Sequence, residues 1–404
     1  MNRWFTTADE NAAPGGMTGL VGAFSLELPM NRWFTTADEN AAPGGMTGLV
    51  GAFSLEPLMS YEIGMAAMRL ECPDRLAHTE YNDHYGLVRA VTGLDPLVNP
   101  EAWRRFNDAW DLDMLWCTND GPVDWAQRGR VTDMGHAEFM EGGIDRRDTV
   151  TCPFTDVEDV WAFDAVEEYG LPDMDELVAF YEQLWRAGQA NNPNQVYTGG
   201  YYKTIVSGAI QAFGWDMLLL AAADRKRFEK VLDSFFHLTL HHAKAWAKTS
   251  IEVYIQHDDM VWSEGAFMRP EFYRSAIFPR YAKLWRELHD AGKIVLFCSD
   301  GDFTEFIDDI VAAGADGLIF EPMTSLEYAV EKYGQSKVIV SSKVDCRTMT
   351  FGKPEDIRRE IDDTLRLALK CPGFIFAVGN HLPSNIPLDN ALYYMDYLRA
   401  NWRR

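Results

Sequence analysis

Five short apolar runs, each followed by a helix-length segment, set the tightest limit on what this chain can fold into. IEVYIQ (251–256), IVLF (294–297), GLIF (317–320), KVIVS (337–341) and FIFAV (374–378) are rich in β-branched and apolar residues. That is the composition of strands covered on both faces. Helix-length stretches separate them: Pro270–Ala291, Phe303–Ala313 closed by Gly314, Ser325–Tyr333 closed by Gly334, and residues 354–370; Leu388–Trp402 follows the last. PEDIRREIDDTLRLALK has Pro at its start, acids in its first turn, and Arg366 and Lys370 near its end, which suits the helix dipole. The alternation predicts parallel βα units. Five in succession predict half or more of a (β/α)8 TIM barrel, with the active site at the carboxyl ends of the strands. An open doubly wound sheet is the alternative, but no glycine-rich phosphate turn follows any strand.

Upstream the pattern is less regular. Residues 60–112 are helical with short breaks (Ile63, Ala66, Ala67 and Leu70 recur on one face), predicting a helical N-terminal extension. A strand is expected at 113–117, loops through 118–160, a helix over 174–190, and strand and loop over 196–208. Residues 1–27 recur unchanged as 30–56. Old repeats diverge and stable arrays need about three units or more, so two identical copies read as a duplicated leader or tag-like segment. The expected organisation is therefore a poorly ordered 1–58 and a single barrel over 59–404, the natural protein beginning near Met59.

A formal charge of −24 opposes direct binding to nucleic acid or an anionic membrane, while leaving room for a partner with a basic face. The six cysteines are scattered and suit reduced thiols in a cytoplasmic protein. No run approaches the ~18 apolar residues of a membrane span.

Each of the five strands ends in a titratable or ligand-capable side chain: His257, Asp258 and Asp259; Cys298 and Asp300; Glu321; Asp345 and Cys346; Asn380 and His381. Any one could be a helix cap, but a barrel brings all five to one mouth. Cys298, Glu321 and His381 are the expected ligands of a catalytic zinc, because three protein ligands and an open fourth position are the usual arrangement. Asp300 is an alternative ligand, or a partner that orients His381. His257 is expected to face away from the mouth.

The order of these motifs resembles the uroporphyrinogen decarboxylase superfamily: CPDR near the start, a GG strand, DD after a strand, then SDG, EP, VDC and GNHLPSNIP. The resemblance spans about 60–404 and implies one (β/α)8 barrel. The decarboxylase branch carries an arginine-rich early segment that grips carboxylates; here MRLECPDRLAHTEYNDHYG (68–86) has only Arg69 and Arg75. The thiol-methylating branch is similar to methylcobamide:thiol methyltransferases and uses His-x-Cys and a later Cys. This chain has Cys298-Ser299-Asp300 and Asn380-His381 instead, a harder donor set suited to polarising oxygen. TDMGHAEF (132–139), GGYYKTIVSGAIQAFGW (199–215), the SDG turn and NHLP look most like the methyltransferase components of corrinoid-dependent O-demethylases.

That likeness implies a zinc-dependent enzyme that moves a methyl group from a small O-methyl donor, such as an aryl methyl ether, to the cobalamin-type corrinoid of a partner protein. Asp259, Asp300 and His136 are then the candidate acids for the departing oxygen, and Tyr201, Tyr202 and Trp262 candidate substrate contacts. Phe213 is a further aromatic candidate. A decarboxylase, a methylcobamide:thiol methyltransferase, and a non-catalytic binding protein for a corrinoid or aromatic ligand are the competing readings. A homodimer is left open.

Overall fold

The computed structural model describes residues 59–134 and 151–404. The chain divides after Leu55, and the barrel lies wholly in the second unit, Glu56–Arg404.

Its strands are β1 (Ala77–His78), β2 (Met114–Leu115), β3 (Val196–Tyr197), β4 (Gly199–Tyr201), β5 (Val253–His257), β6 (Ile294–Cys298), β7 (Gly317–Ile319), β8 (Val338–Ser341) and β9 (Phe374–Phe376). Seven form a parallel sheet in the order β1-β9-β8-β7-β6-β5-β4, and β2 pairs with β3. Only Thr198 separates β3 from β4. Its hydroxyl accepts from Cys117 N at 2.9 Å and donates to Leu115 O at 3.1 Å, beside a backbone bond from Thr198 N to the same Leu115 O at 3.3 Å, so a side chain shares the ladder for one residue. Counting β3 and β4 as one interrupted stave gives eight. The last seam, between β1 and β2, is closed by Asp113 N donating to His78 O (2.8 Å) and Thr79 Oγ1 donating to Met114 O (2.7 Å). The parallel (β/α)8 barrel expected from the rhythm of the carboxyl half is the observed fold.

Period-2 alternation sorts the strand side chains into two cores. Val253, Ile255, Leu296, Cys298, Ile319, Val338, Val340 and Ile375 fill the barrel interior. Their neighbours, such as Tyr254, Val295, Phe297 and Ile339, pack outward under the helices. The N-terminal helix Ser60–Met68 adds Ile63, Met65, Ala67 and Met68 to the interior cluster, and so plugs the end of the barrel opposite the mouth. Gly64 permits that approach, since a Cβ there would sit 2.4 Å from Asp113 O.

Three helices differ from expectation. The stretch expected as one helix over 270–291 contains a π-helical turn, Tyr273–Ile277, between Pro270–Phe272 and Phe278–Asp290. Pro279 has no N–H for the carbonyl of Ser275, which breaks the α ladder there. Helix Ile205–Ala222 is long and apolar enough to cross a membrane by composition, contrary to the sequence expectation. It is mostly buried, broken at Gly214 (φ 70°), and packed beside helix Arg225–Ala247, as a core helix should be. A short helix, Cys346–Phe351, follows β8, and Asp345 caps it by accepting from Arg347 N at 2.7 Å. For Asp345 the helix-cap reading of a strand-end acid is the observed one.

Candidate active site and metal centre

The mouth is organised by β5 and β6. His257 and Cys298 are register partners in this parallel pair. Val253 and Ile255 face the barrel interior, so His257 and Asp259 continue on that side; Leu296, Cys298 and Asp300 do the same on β6. The expectation that His257 faces away is therefore corrected by strand parity. Asp258, of opposite parity, points outward. It accepts from Val206 N (2.9 Å), Ser207 N (2.7 Å) and the Tyr281 hydroxyl (2.6 Å), and so anchors the start of helix Ile205–Ala222. Burial lifts its pKa to about 6 against the pull of those bonds.

His257 Nε2 lies 3.0 Å from Asp259 Oδ1, which also accepts from Asp300 N at 3.0 Å. The Tyr202 hydroxyl donates to Asp259 Oδ2 at 3.3 Å. One ligand-capable atom each from His257, Asp259 and Asp300 lie within 4.8 Å of one another, the only such trio among the described residues. The expected trio of Cys298, Glu321 and His381 does not converge in this way. Cys298 sits one layer deeper, fully buried beside His257, with burial pushing its thiol up to about 11. Glu321 accepts from Gly301 N (3.0 Å) and Asn380 Nδ2 (2.7 Å), and His381 Nδ1 lies 2.5 Å from Asn380 Oδ1. Asn380 Nδ2 also reaches Asp300 Oδ2 at 3.4 Å. Four strand ends are thus joined: β5 to β6 through Asp259, and β6 to β7 and β9 through Asn380.

Electrostatics follow from crowding acids in a dry place. Burial, then the neighbouring Asp259 and Glu321, hold the Asp300 carboxyl well above its usual range. For His257, burial opposes charge, but Asp259 and the Cys298 sulfur outweigh it and raise its pKa well above the ordinary value. Burial alone pushes His381 down to about 4, so its imidazole is neutral at physiological pH. One imidazole and two carboxylates, with a third carboxylate nearby, match the donors that Zn²⁺ accepts. Burial is the larger cause of the raised Asp300, and the added repulsion from Asp259 and Glu321 is the part that a cation among these groups would relieve.

Aromatic rings face these donors. Trp116 packs against His257 (5.7 Å between centroids) and Tyr81 against Trp116 (6.0 Å), while Tyr81 also meets His381 (6.4 Å, edge-on). Tyr202 stands edge-on to His257 at 4.7 Å. Tyr202 is therefore at the mouth as expected, whereas Tyr201 is not. One residue earlier on the pleat, Tyr201 turns outward and stacks on His242 of helix Arg225–Ala247 at 4.3 Å. Trp262 lies on the rim, 44% exposed, against Trp215 and Phe267. Phe213 is core, packed with Phe154, Phe163 and Phe235. His136 lies outside the described residues. Residue-by-residue reading missed Tyr81 and Trp116, each just past a strand too short to register, and it set His257 aside. The same i, i+2 parity that aligned Cys298 with Asp300 would have aligned His257 with Asp259.

The architecture is that of a (β/α)8 enzyme whose polar centre sits at the carboxyl ends of its strands. The uroporphyrinogen decarboxylase (URO-D) family model matches residues 205–400, and the resemblance carried by the chain's motifs is borne out. A methyltransferase from Methanosarcina mazei shares the fold: TM-score 0.59, 18% identity, covering 85% of this chain and 98% of its own. A putative vitamin-B12 independent methionine synthase from Listeria monocytogenes is a looser likeness (TM-score 0.36, 13% identity, 56% of this chain and 70% of its own) and bears no weight. No curated protein matches the chain by sequence.

Proposed function

We propose that this protein is a zinc-dependent methyltransferase that moves a methyl group from a small O-methyl donor, an aryl methyl ether in the simplest case, to the Co(I) corrinoid of a partner protein. The observation that carries the reading is the facing of His257, Asp259 and Asp300 by a wall of aromatic rings at one barrel mouth. The URO-D match and the fold shared with a methyltransferase support it.

His257, Asp259 and Asp300 would hold the metal, with Glu321 and His381 flanking them. A bound Zn²⁺ supplies Lewis acidity toward an ether oxygen. The chain's own residues do the rest. Trp116, Tyr81 and Tyr202 offer flat apolar faces for a phenyl ring. The Tyr202 hydroxyl has one proton, donated here to Asp259; turning it to a departing oxygen would break that bond. In the transfer the O–CH₃ bond breaks with its electron pair staying on oxygen. The methyl carbon would pass to the partner's Co(I), which supplies the electron pair of the new bond, and the phenolate would take its proton from water.

The decarboxylase alternative lacks its grip on substrate carboxylates. Arg75 is held by Asp113 through two bonds of 2.6 and 2.7 Å, and Arg69 pairs with Glu252 at 3.0 Å, before the start of β5 at the far end of the barrel. The test is elemental analysis of the purified chain together with a panel of methoxylated aromatics, using free cob(I)alamin as acceptor. Roughly one zinc per chain and methyl transfer from at least one donor are expected; metal-free protein that remains active would sink the reading.

A further inference from the structure

Asn380 has backbone geometry that a non-glycine residue adopts only at a cost. Its φ is +68°, in the left-handed region, where asparagine is among the best-tolerated side chains. It follows β9, at the point where Gly379 pairs with Asp345 in an isolated parallel bridge. This turn carries the Asn380 side chain across the mouth. The amide nitrogen has two protons: one is donated to Glu321 Oε1 at 2.7 Å, and the other points toward Asp300 Oδ2 at 3.4 Å. The amide oxygen faces His381 Nδ1 at 2.5 Å. Only one amide orientation satisfies all three partners. Flipped, the oxygen would confront the carboxyl oxygens of Glu321 and Asp300. With the carboxylates fixing the amide, the oxygen can only accept, so Nδ1 of His381 must carry the proton and Nε2 the lone pair.

We propose that Asn380 is a positioning residue: one side-chain amide sets the tautomer of His381 and holds the Glu321 and Asp300 carboxylates in a fixed orientation at the mouth. Partners of this kind are known to set ring orientation and donor strength at metal centres. Part of the proposal, its effect on metal affinity, rests on the zinc reading above; the tautomer does not.

The experiment compares the full chain with Asn380→Gly and Asn380→Asp. Glycine keeps the backbone angle and removes the amide; aspartate keeps the shape but replaces the donor with a charge. The first readout is the ¹⁵N NMR signature of ¹⁵N-histidine-labelled, metal-free protein, assigned through His381→Gln. The wild type is expected to show His381 protonated at Nδ1, and Asn380→Gly to show a mixture of tautomers at unchanged melting temperature. An Asn380→Gly spectrum identical to the wild type, or a wild type protonated at Nε2, would overturn the proposal. The second readout is Zn²⁺ affinity by chelator competition, expected to weaken about 10–100-fold in Asn380→Gly. If the wild type binds no zinc, the metal reading fails while the tautomer result still decides the role of Asn380. Unchanged zinc affinity in a variant with scrambled tautomers would overturn the metal-positioning half.

Discussion

His257 and Cys298 stand opposite each other in the β5–β6 ladder, and the residue two further along each strand is an aspartate. Parallel register therefore brings His257-x-Asp259 and Cys298-x-Asp300 together as two inward-facing pairs. In the upper pair, Asp300 N donates to Asp259 at 3.0 Å. Asp259→Asn should weaken zinc retention more than Cys298→Ser, because Asp259 touches both other members of the trio and Cys298 lies below them. Metal content after dialysis against a graded chelator series measures this; equal losses in the two variants would contradict it.

The mouth depends on a glycine. Gly301 has φ +83°, its N–H donates to Glu321 Oε2, and a Cβ there would lie 2.5 Å from Trp262 O. Gly301→Ala should cost on the order of 1–3 kcal/mol in stability. Because the strained turn would also release Glu321, activity should fall further than the fraction unfolded explains. Paired denaturation curves and turnover assays would show it.

Arg75 and Asp113 form a bidentate pair in which Asp113 is completely buried and also accepts from His78 N at 2.8 Å. Arg75→Met strands a carboxylate at the β1–β2 seam and should destabilise the chain by about 3–5 kcal/mol. A double variant, Arg75→Met with Asp113→Asn, should recover part of the loss. Urea midpoints at constant slope report both.

His242 gives the fold an acid limit. It is buried between Tyr201 and the Tyr181 hydroxyl, and desolvation, then His241 and Lys203, lower its pKa to about 3. The unfolded chain binds a proton near the ordinary value of about 6.5 and the folded chain does not, so stability is full above that pH and drains as pH falls from there toward 3. One such group removes about 2 kcal/mol at pH 5 relative to pH 8. His242→Phe keeps the stacking ring and should flatten this part of the stability–pH curve, measured by urea unfolding across the range.

If an aryl ring lies against the aromatic wall, Trp116→Ala should raise KM for the methoxylated donor about 10-fold or more, from a stacking contribution of roughly 0.5–1.5 kcal/mol plus lost burial. Trp262→Ala, on the rim, should change it less. Steady-state kinetics with one donor and saturating corrinoid separate the two.

The barrel was legible in the chain because its cause is local. Apolar β-branched runs such as Val338–Ser341 and capped amphipathic helices such as Pro354–Ala368 carry their pattern in consecutive residues, and the order of strand-end motifs carried the superfamily. The early staves were legible only in part, because β1, β2 and β3 are two residues each and owe their pairing to distant partners. What the tertiary structure alone decided is which strand-end side chains meet. Tyr201 and Tyr202 are equivalent by composition, yet the pleat sends one outward to His242 and the other to Asp259. By sequence Cys298 is the expected ligand and Asp300 its alternative, but the depth of Cys298 in the barrel sets it below the trio. Asn380 joins Glu321, His381 and Asp300 through a backbone angle that composition does not announce. Periodicity is written along the chain; convergence at the mouth depends on register and parity between strands tens of residues apart.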